Sequence, residues 1–119
     1  MPDPNAEIAM TILQEHGVQV ERAVNGEECV EMLKAQTADY YDAVLMDIQM
    51  PVMNGYDAAR AIRQLTTPHA AVSIIAMTAN AFEEDKQKAF AAGMDAYITK
   101  PVDVVSMMKT LHQIIETHR

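Results

Sequence analysis

One cysteine, no tryptophan, four glycines and nine basic residues against seventeen acidic ones set the first limits on this 119-residue chain. A lone cysteine excludes an internal disulfide, so the core must hold the fold, and such thiol usage suits a reducing, cytoplasmic setting. The shortage of Lys and Arg leaves a formal charge of −8. That excludes the basic stripe by which proteins meet a phosphate backbone, so nucleic acid is not an expected partner. No apolar run approaches the roughly 20 residues of a membrane-spanning helix, and membrane insertion is therefore not expected. Residues 1–6 hold two prolines and an aspartate where a secretory leader would place a basic end and an apolar stretch.

Half of the residues are hydrophobic, as expected for a globular chain, and the length fits one domain spanning residues 1–119. Apolar spacing alternates between two periods. Asn5 is placed to cap a helix to about His16, with Ile8, Ile12 and Leu13 on one face, and Gly17 ends it. Val18 and Val20 alternate in a short strand ending near Ala23. Asn25-Gly26 opens a second helix, in which Cys29, Val30 and Leu33 share a face. Tyr41 to Asp47 contains the continuous apolar run of a strand buried on both sides. Asn54-Gly55 leads into a helix to about Leu65. Val72 to Met77 is a further buried strand, Phe82 to Ala92 a helix ended by Gly93, and Ala96 to Thr99 a short strand. A last helix covers Val102 to Thr117, with Val105, Met108, Leu111 and Ile115 expected to face inward. Four short strands alternating with helices imply an α/β fold, a parallel sheet covered on both faces. The fourth helix, with its Glu83 to Lys88 run and little apolar face, reads either as a plain solvated helix or as a weakly anchored element able to shift.

Ligands and chemistry gather at the carboxyl ends of parallel strands. Asp47, Thr78-Ala79 and Lys100-Pro101 stand at those ends. A carboxylate able to attack phosphorus, with a hydroxyl and an ammonium to bind the transferred oxygens, suits phosphoryl transfer. Each residue alone would pass for a cap or turn former; three at consecutive strand ends point to chemistry. The histidines (16, 69, 112 and 118) have no metal-ligand spacing, the ten methionines are scattered, and Cys29 reads as a buried helix residue.

Three segments carry a family resemblance: Val44-Leu45-Met46-Asp47-Ile48-Gln49-Met50-Pro51 with Asn54-Gly55; Ala76-Met77-Thr78-Ala79-Asn80-Ala81; and Ala92-Gly93-Met94-Asp95-Ala96-Tyr97-Ile98-Thr99-Lys100-Pro101. Together they resemble the receiver domains of two-component signalling, above all those attached to hybrid sensor histidine kinases, along essentially the whole chain. The resemblance implies a flavodoxin-like, doubly wound sheet and a phosphoacceptor signalling domain rather than an enzyme. It implies that Asp47 accepts a phosphoryl group from a histidine kinase or histidine phosphotransfer protein, that Thr78 is the switch hydroxyl, and that Lys100 pairs with the phosphate. Tyr97 matches the aromatic that swings inward, Lys100-Pro101 a cis bond, and Gln49 a backbone carbonyl ligand of Mg²⁺. The side chains of Gln49 and Asn80 would tune hydrolysis of the acyl phosphate.

The pattern departs from the family at its start. Receivers open with a central strand ending in two acids that hold Mg²⁺ with the phosphoacceptor, whereas this sequence opens where their first helix begins. A domain truncated at its amino end, with that strand and its acids missing, is the expectation. Loss of a central strand leaves a slot of roughly 9.6 Å, two strand spacings. Residues upstream, a partner chain or swapped segment, or closure into a four-stranded sheet would each resolve it. Mg²⁺ binding and phosphotransfer would be weak with Asp47 as the one well-placed carboxylate. A phosphorylation-independent binding module of the same shape is the alternative function. An aspartyl hydrolase is disfavoured because Gln49 stands where a second Asp is wanted, and a flavin protein because no hydroxyl- or glycine-rich phosphate loop is present. His112 and the last helix would serve either a homodimer or plain core packing.

Overall fold

The computed structural model describes residues 4–48, 54–78, 83–99 and 103–117. In chain order these form α1 (Pro4–Glu15), α2 (Gly26–Ala35), β1 (Ala43–Asp47), α3 (Gly55–Arg63), β2 (Ser73–Thr78), α4 (Glu83–Ala91), β3 (Ala96–Thr99) and α5 (Val104–Thr117), with a 3₁₀ turn over Pro68–Ala71 before β2. The sheet is parallel, in the order β1-β2-β3.

Local signals explain most boundaries. Asn25 caps α2 by accepting from the Glu28 N–H at 2.8 Å, and Asn54 caps α3 by accepting from the Asp57 N–H at 2.9 Å. Each satisfies one of the amides that a helix start leaves without an intrahelical partner. Asp103 does the same for α5 through the Ser106 N–H at 2.8 Å, and that bond holds its carboxyl below the ordinary value. Asn5 is not a cap: α1 begins at Pro4, whose fixed φ suits a first helical position, so Asn5 lies inside the first turn.

Side chains of β2 alternate between two cores. Ile74 and Ala76 pack with Leu33, Met46, Ala58, Ala59 and Ile62 on the α2–α3 side. Ile75 and Met77 pack with Ala9, Leu13, Met107 and Leu111 on the α1–α5 side. Every residue of β2 is buried, which is what its unbroken apolar run requires.

Four expectations need correction. Residues 18–23 form no strand; they run without regular structure. A strand is a paired state, and the sheet among the described residues ends at β1, so alternating valines find no ladder there. For the same reason β1 is not buried on both sides: Met46 is buried, and the other four residues are only half covered. In α1, Ile8 faces outward at 47% exposure while Ala9, Ile12 and Leu13 are buried. In α5 the expected Leu111 is buried and Met108 packs against the core, but Val105 is 76% exposed, and Met107 is fully buried instead.

Between β1 and residues 18–23 lies a cavity of about 240 Å³, lined by Met10, Val20, Cys29, Met32, Leu45 and Met46 among others. It has not closed into a four-stranded sheet. The hydroxyls of Tyr40 and Tyr41 both donate to the Glu21 carboxylate at 3.0 Å, and the two rings meet edge to face. These bonds tie the extended segment to the entry of β1. Burial, then the Glu21 hydrogen bond, pushes the Tyr41 phenol up to about 12. Burial likewise pushes the Cys29 thiol up to about 11.

A second tie lies at the amino ends of the strands. Arg63, in the last turn of α3, donates to the carbonyls of Gly93 (2.8 Å), Ala70 and Val72 (both 2.7 Å) and to Asp95 Oδ2 (2.9 Å). The same Asp95 oxygen accepts from the Ile74 N–H at 2.8 Å, and the Asp95 N–H donates to the Ile74 carbonyl at 2.8 Å. Gly93 sits at φ +99°, and a Cβ there would lie 2.6 Å from Arg63 Cγ. Both backbone conformation and space therefore demand glycine.

Arg63→Ala removes these bonds and leaves part-buried carbonyls and Asp95 without their cation, at an expected cost of about 3 kcal/mol in urea unfolding. Arg63→Lys recovers less than half of that loss, because an ammonium cannot serve groups lying in several directions of one plane. The tyrosine pair supplies a pH test. Tyr41 is neutral when folded up to about pH 12, so its contribution to stability is complete below pH 10 and disappears as pH rises through 12. Titration at 295 nm should resolve a late-ionising phenol that Tyr41→Phe removes.

Candidate functional site

Asp47 ends β1 and Thr78 ends β2. The register pairs Asp47 with Met77, and Thr78 with Thr99 at the end of β3. Thr78 thus stands one step beyond Asp47 on the neighbouring strand, about 6 Å away between Cα atoms by ordinary sheet spacing. Thr78 is 9% exposed, and Asp47 is half-buried. Thr99 leads directly into Lys100. Lys100, Pro101, Gln49 and Asn80 lie outside the described residues, so the structure brings together Asp47 and Thr78 of the expected set and places Tyr97 on the same sheet.

The carboxyl end of β1 is held from both sides. The Ile48 N–H donates to the Met77 carbonyl at 3.2 Å, continuing the ladder past Asp47, and the Ile48 carbonyl accepts from the Gly55 N–H at 3.0 Å. A Cβ on Gly55 would lie 2.7 Å from the Asp47 carbonyl oxygen and 2.8 Å from Ile48 Cα. Those are backbone atoms that cannot swing aside, so glycine is what lets the start of α3 seat against the turn carrying Asp47.

Tyr97, half-buried on β3, is covered by α4. The Phe90 ring meets it edge to face at 6.3 Å, and Lys86 Nζ lies 4.8 Å from its ring centroid, within cation–π range. Phe90 is itself 50% exposed, and Ala89 is the buried residue of α4. Little apolar surface thus covers α4, which fits both the solvated and the weakly anchored reading of this helix. Lys86 and Phe90 were missed in the sequence; their i, i+4 spacing on one helix face was the available signal. His69 joins the 3₁₀ turn to the end of α2 through Thr67 and the Gln36 carbonyl, both at 2.7 Å, and His112 is exposed beside Glu116 at 3.5 Å. Among the described residues no His, Cys, Asp and Glu side chains gather in threes in a way that could hold a metal.

Of the described residues, Asp47 is the carboxylate that the strands bring to the rim; Mg²⁺ takes one or two carboxylates with water and phosphate oxygens, so Asp47 would supply one ligand. No helix among the described residues is long and apolar enough to cross a membrane.

Comparison with known proteins agrees with this architecture. The chain is 40% identical over 102 residues to hybrid signal transduction histidine kinase L of Dictyostelium discoideum, covering 82% of this chain and 6% of that protein. It is 36% identical over 113 residues to hybrid signal transduction histidine kinase M of the same organism, covering 93% of this chain and 5% of that protein. The chain thus spans a small fraction of the length of these curated relatives. Among solved structures, the receiver domain of sensor histidine kinase PA1611 from Pseudomonas aeruginosa PAO1, crystallised with a magnesium ion coordinated in its active site cleft, is 34% identical. It superposes with a TM-score of 0.82 over 94% of this chain and 88% of that one. The fold is accordingly the flavodoxin-like α/β fold of those domains, with three strands of the sheet among the described residues. The model of the response regulator receiver domain matches residues 3–112, and the chain belongs to that family.

Proposed function

We propose that this chain is a phosphorelay receiver, with Asp47 as phosphoacceptor and the α4–β3–α5 face as its output surface. The observation that carries the reading is the placement of Asp47 and Thr78 at the carboxyl ends of adjacent parallel strands, with Thr78 in register with Thr99 at the end of β3. The donor is a phosphohistidine of a histidine kinase or of a histidine phosphotransfer protein. An Asp47 carboxylate oxygen bonds to phosphorus while the P–N bond of the phosphohistidine breaks. The electron pair stays on the imidazole nitrogen, which takes a proton from solvent, and the product is an acyl phosphate. The Thr78 hydroxyl donates to a transferred oxygen, and Lys100 neutralises charge there.

The acyl phosphate brings about −2 charge and strong acceptors to a rim that held one carboxylate. Movement of Thr78 toward it frees space below, into which Tyr97 turns. That motion breaks the Phe90 and Lys86 contacts, and α4, with little apolar anchorage, shifts at small cost. Gln49 and Asn80, each two residues along the sequence from Asp47 and Thr78, set the lifetime of the acyl phosphate. Cytoplasmic residence fits a phosphohistidine donor.

Incubation with a small acyl phosphate, with and without Mg²⁺, followed by intact mass measurement tests the reading. A gain of one phosphoryl group is expected, slow in both conditions, and Asp47→Asn abolishes it. Thr78→Ala is expected to slow the gain about tenfold, the loss of one charge-assisted hydrogen bond worth about 1.4 kcal/mol. No gain in the unsubstituted chain assigns it instead to phosphorylation-independent binding. On phosphorylation, amide resonances of residues 83–91 should move, and in Tyr97→Ala that response should shrink while the mass gain persists.

A further inference from the structure

We infer that Asn25–Gly26 is a site of spontaneous deamidation in the folded protein, and that the identical dipeptide at the rim, Asn54–Gly55, is shielded from it by the seat of Gly55 against the Asp47 turn.

Of the four asparagines (5, 25, 54 and 80), two precede glycine. A following glycine has no Cβ to hinder the approach of its nitrogen to the asparagine side chain, and its backbone turns freely. The Gly26 nitrogen gives its proton to a base in solution and bonds to Asn25 Cγ. The Cγ–Nδ2 bond breaks, and Nδ2 leaves as ammonia with a proton from water. The five-membered imide then takes up water at either carbonyl. Breaking the bond from nitrogen to Cγ gives aspartate. Breaking the bond from nitrogen to the backbone carbonyl carbon gives isoaspartate, with the chain rerouted through Cγ.

The two sites are closely matched. Both asparagines are helix caps with extended backbone, ψ 176° at Asn25 and 168° at Asn54. Each side-chain oxygen accepts from one amide, at 2.8 and 2.9 Å. Both glycines are buried, so reaction needs the first helical turn to open, and the turns are held differently. The attacking nitrogen of Gly55 donates to the Ile48 carbonyl at 3.0 Å, and Ala58 and Ala59 behind it are fully buried. Gly26 begins α2, where an amide has no intrahelical acceptor, and Glu27 and Glu28 after it are exposed. Opening α2 breaks the Asn25 cap and a 3.3 Å bond from the Val24 N–H to Glu28 Oε1. Opening α3 breaks its cap, releases the tie to Ile48 and uncovers two core alanines, so the first opening is the cheaper one. Exposure of the asparagine itself ranks the sites the other way, since Asn54 is exposed and Asn25 half-buried. The two accounts therefore predict opposite orders.

The products act differently on α2. Aspartate keeps an oxygen at the cap and adds negative charge at the positive end of the helix. Isoaspartate lengthens the backbone before Gly26 by one carbon and removes the cap. At the rim, the contact that seats α3 against the Asp47 turn also keeps a new carboxylate from forming beside it.

The test is to age the full 119-residue chain, folded, at mildly alkaline pH and to map its tryptic peptides by mass; residues 23–34 and 35–60 carry one site each. Asn25 should deamidate about tenfold faster than Asn54, the factor that one hydrogen bond of ordinary net worth imposes on opening. In urea, where neither helix exists, the two rates should converge. Equal rates in the folded chain, a faster Asn54, a difference that survives in urea, or no deamidation at either site overturns the proposal. Molecules carrying isoaspartate should lose exchange protection over residues 28–31 and those carrying aspartate should keep it; protection retained in both overturns the distinct effects on α2. None of these readouts uses phosphorylation, so the proposal stands or falls apart from the phosphoacceptor reading.

Discussion

The planar guanidinium of Arg63 is the fixed point of this fold. Four groups from two stretches of chain converge on it, the carbonyls of Ala70, Val72 and Gly93 and the carboxylate of Asp95. Carbonyls at loop ends lack partners in regular structure, and leaving them unpaired in a half-buried place is costly. One side chain satisfies them together and sets where β2 begins and where the chain turns from α4 to β3. The position matters as much as the strength. Arg63 works at the amino ends of the strands, opposite the rim where Asp47 and Thr78 stand. Rigidity is concentrated at one end of the sheet, so the other can be spent on groups that must move.

That division shows in how the two ends are built. Near Arg63, Gly93 has a strained backbone and no room for a Cβ. At the rim, Gly55 lets a helix start press on the Asp47–Ile48 backbone, while α4 lies over Tyr97 with one alanine buried. A helix held by an edge-to-face ring contact and a cation over a ring has contacts worth about 1 kcal/mol each.

What the sequence made legible follows the range of the interactions. Asn25 and Asn54 were readable as caps because a cap acts within three residues, and β2 because an interior strand is apolar throughout. The carboxyl-end cluster was readable because strand ends carry the chemistry in parallel sheets, although Lys100 falls outside the described residues. Arg63 was not readable: its partners lie up to 32 residues away, and an arginine in the last turn of a helix looks like a surface charge. Residues 18–23 were misread because alternating valines state a preference for pairing without supplying the pair. In α5 Leu111 and Met108 were legible, whereas Val105 stands exposed and Met107, one turn before Leu111, packs at full burial.

The scarcity of lysine and arginine has a colloidal role. A net charge of −8 keeps molecules apart in solution, and salt that screens this repulsion removes the guard.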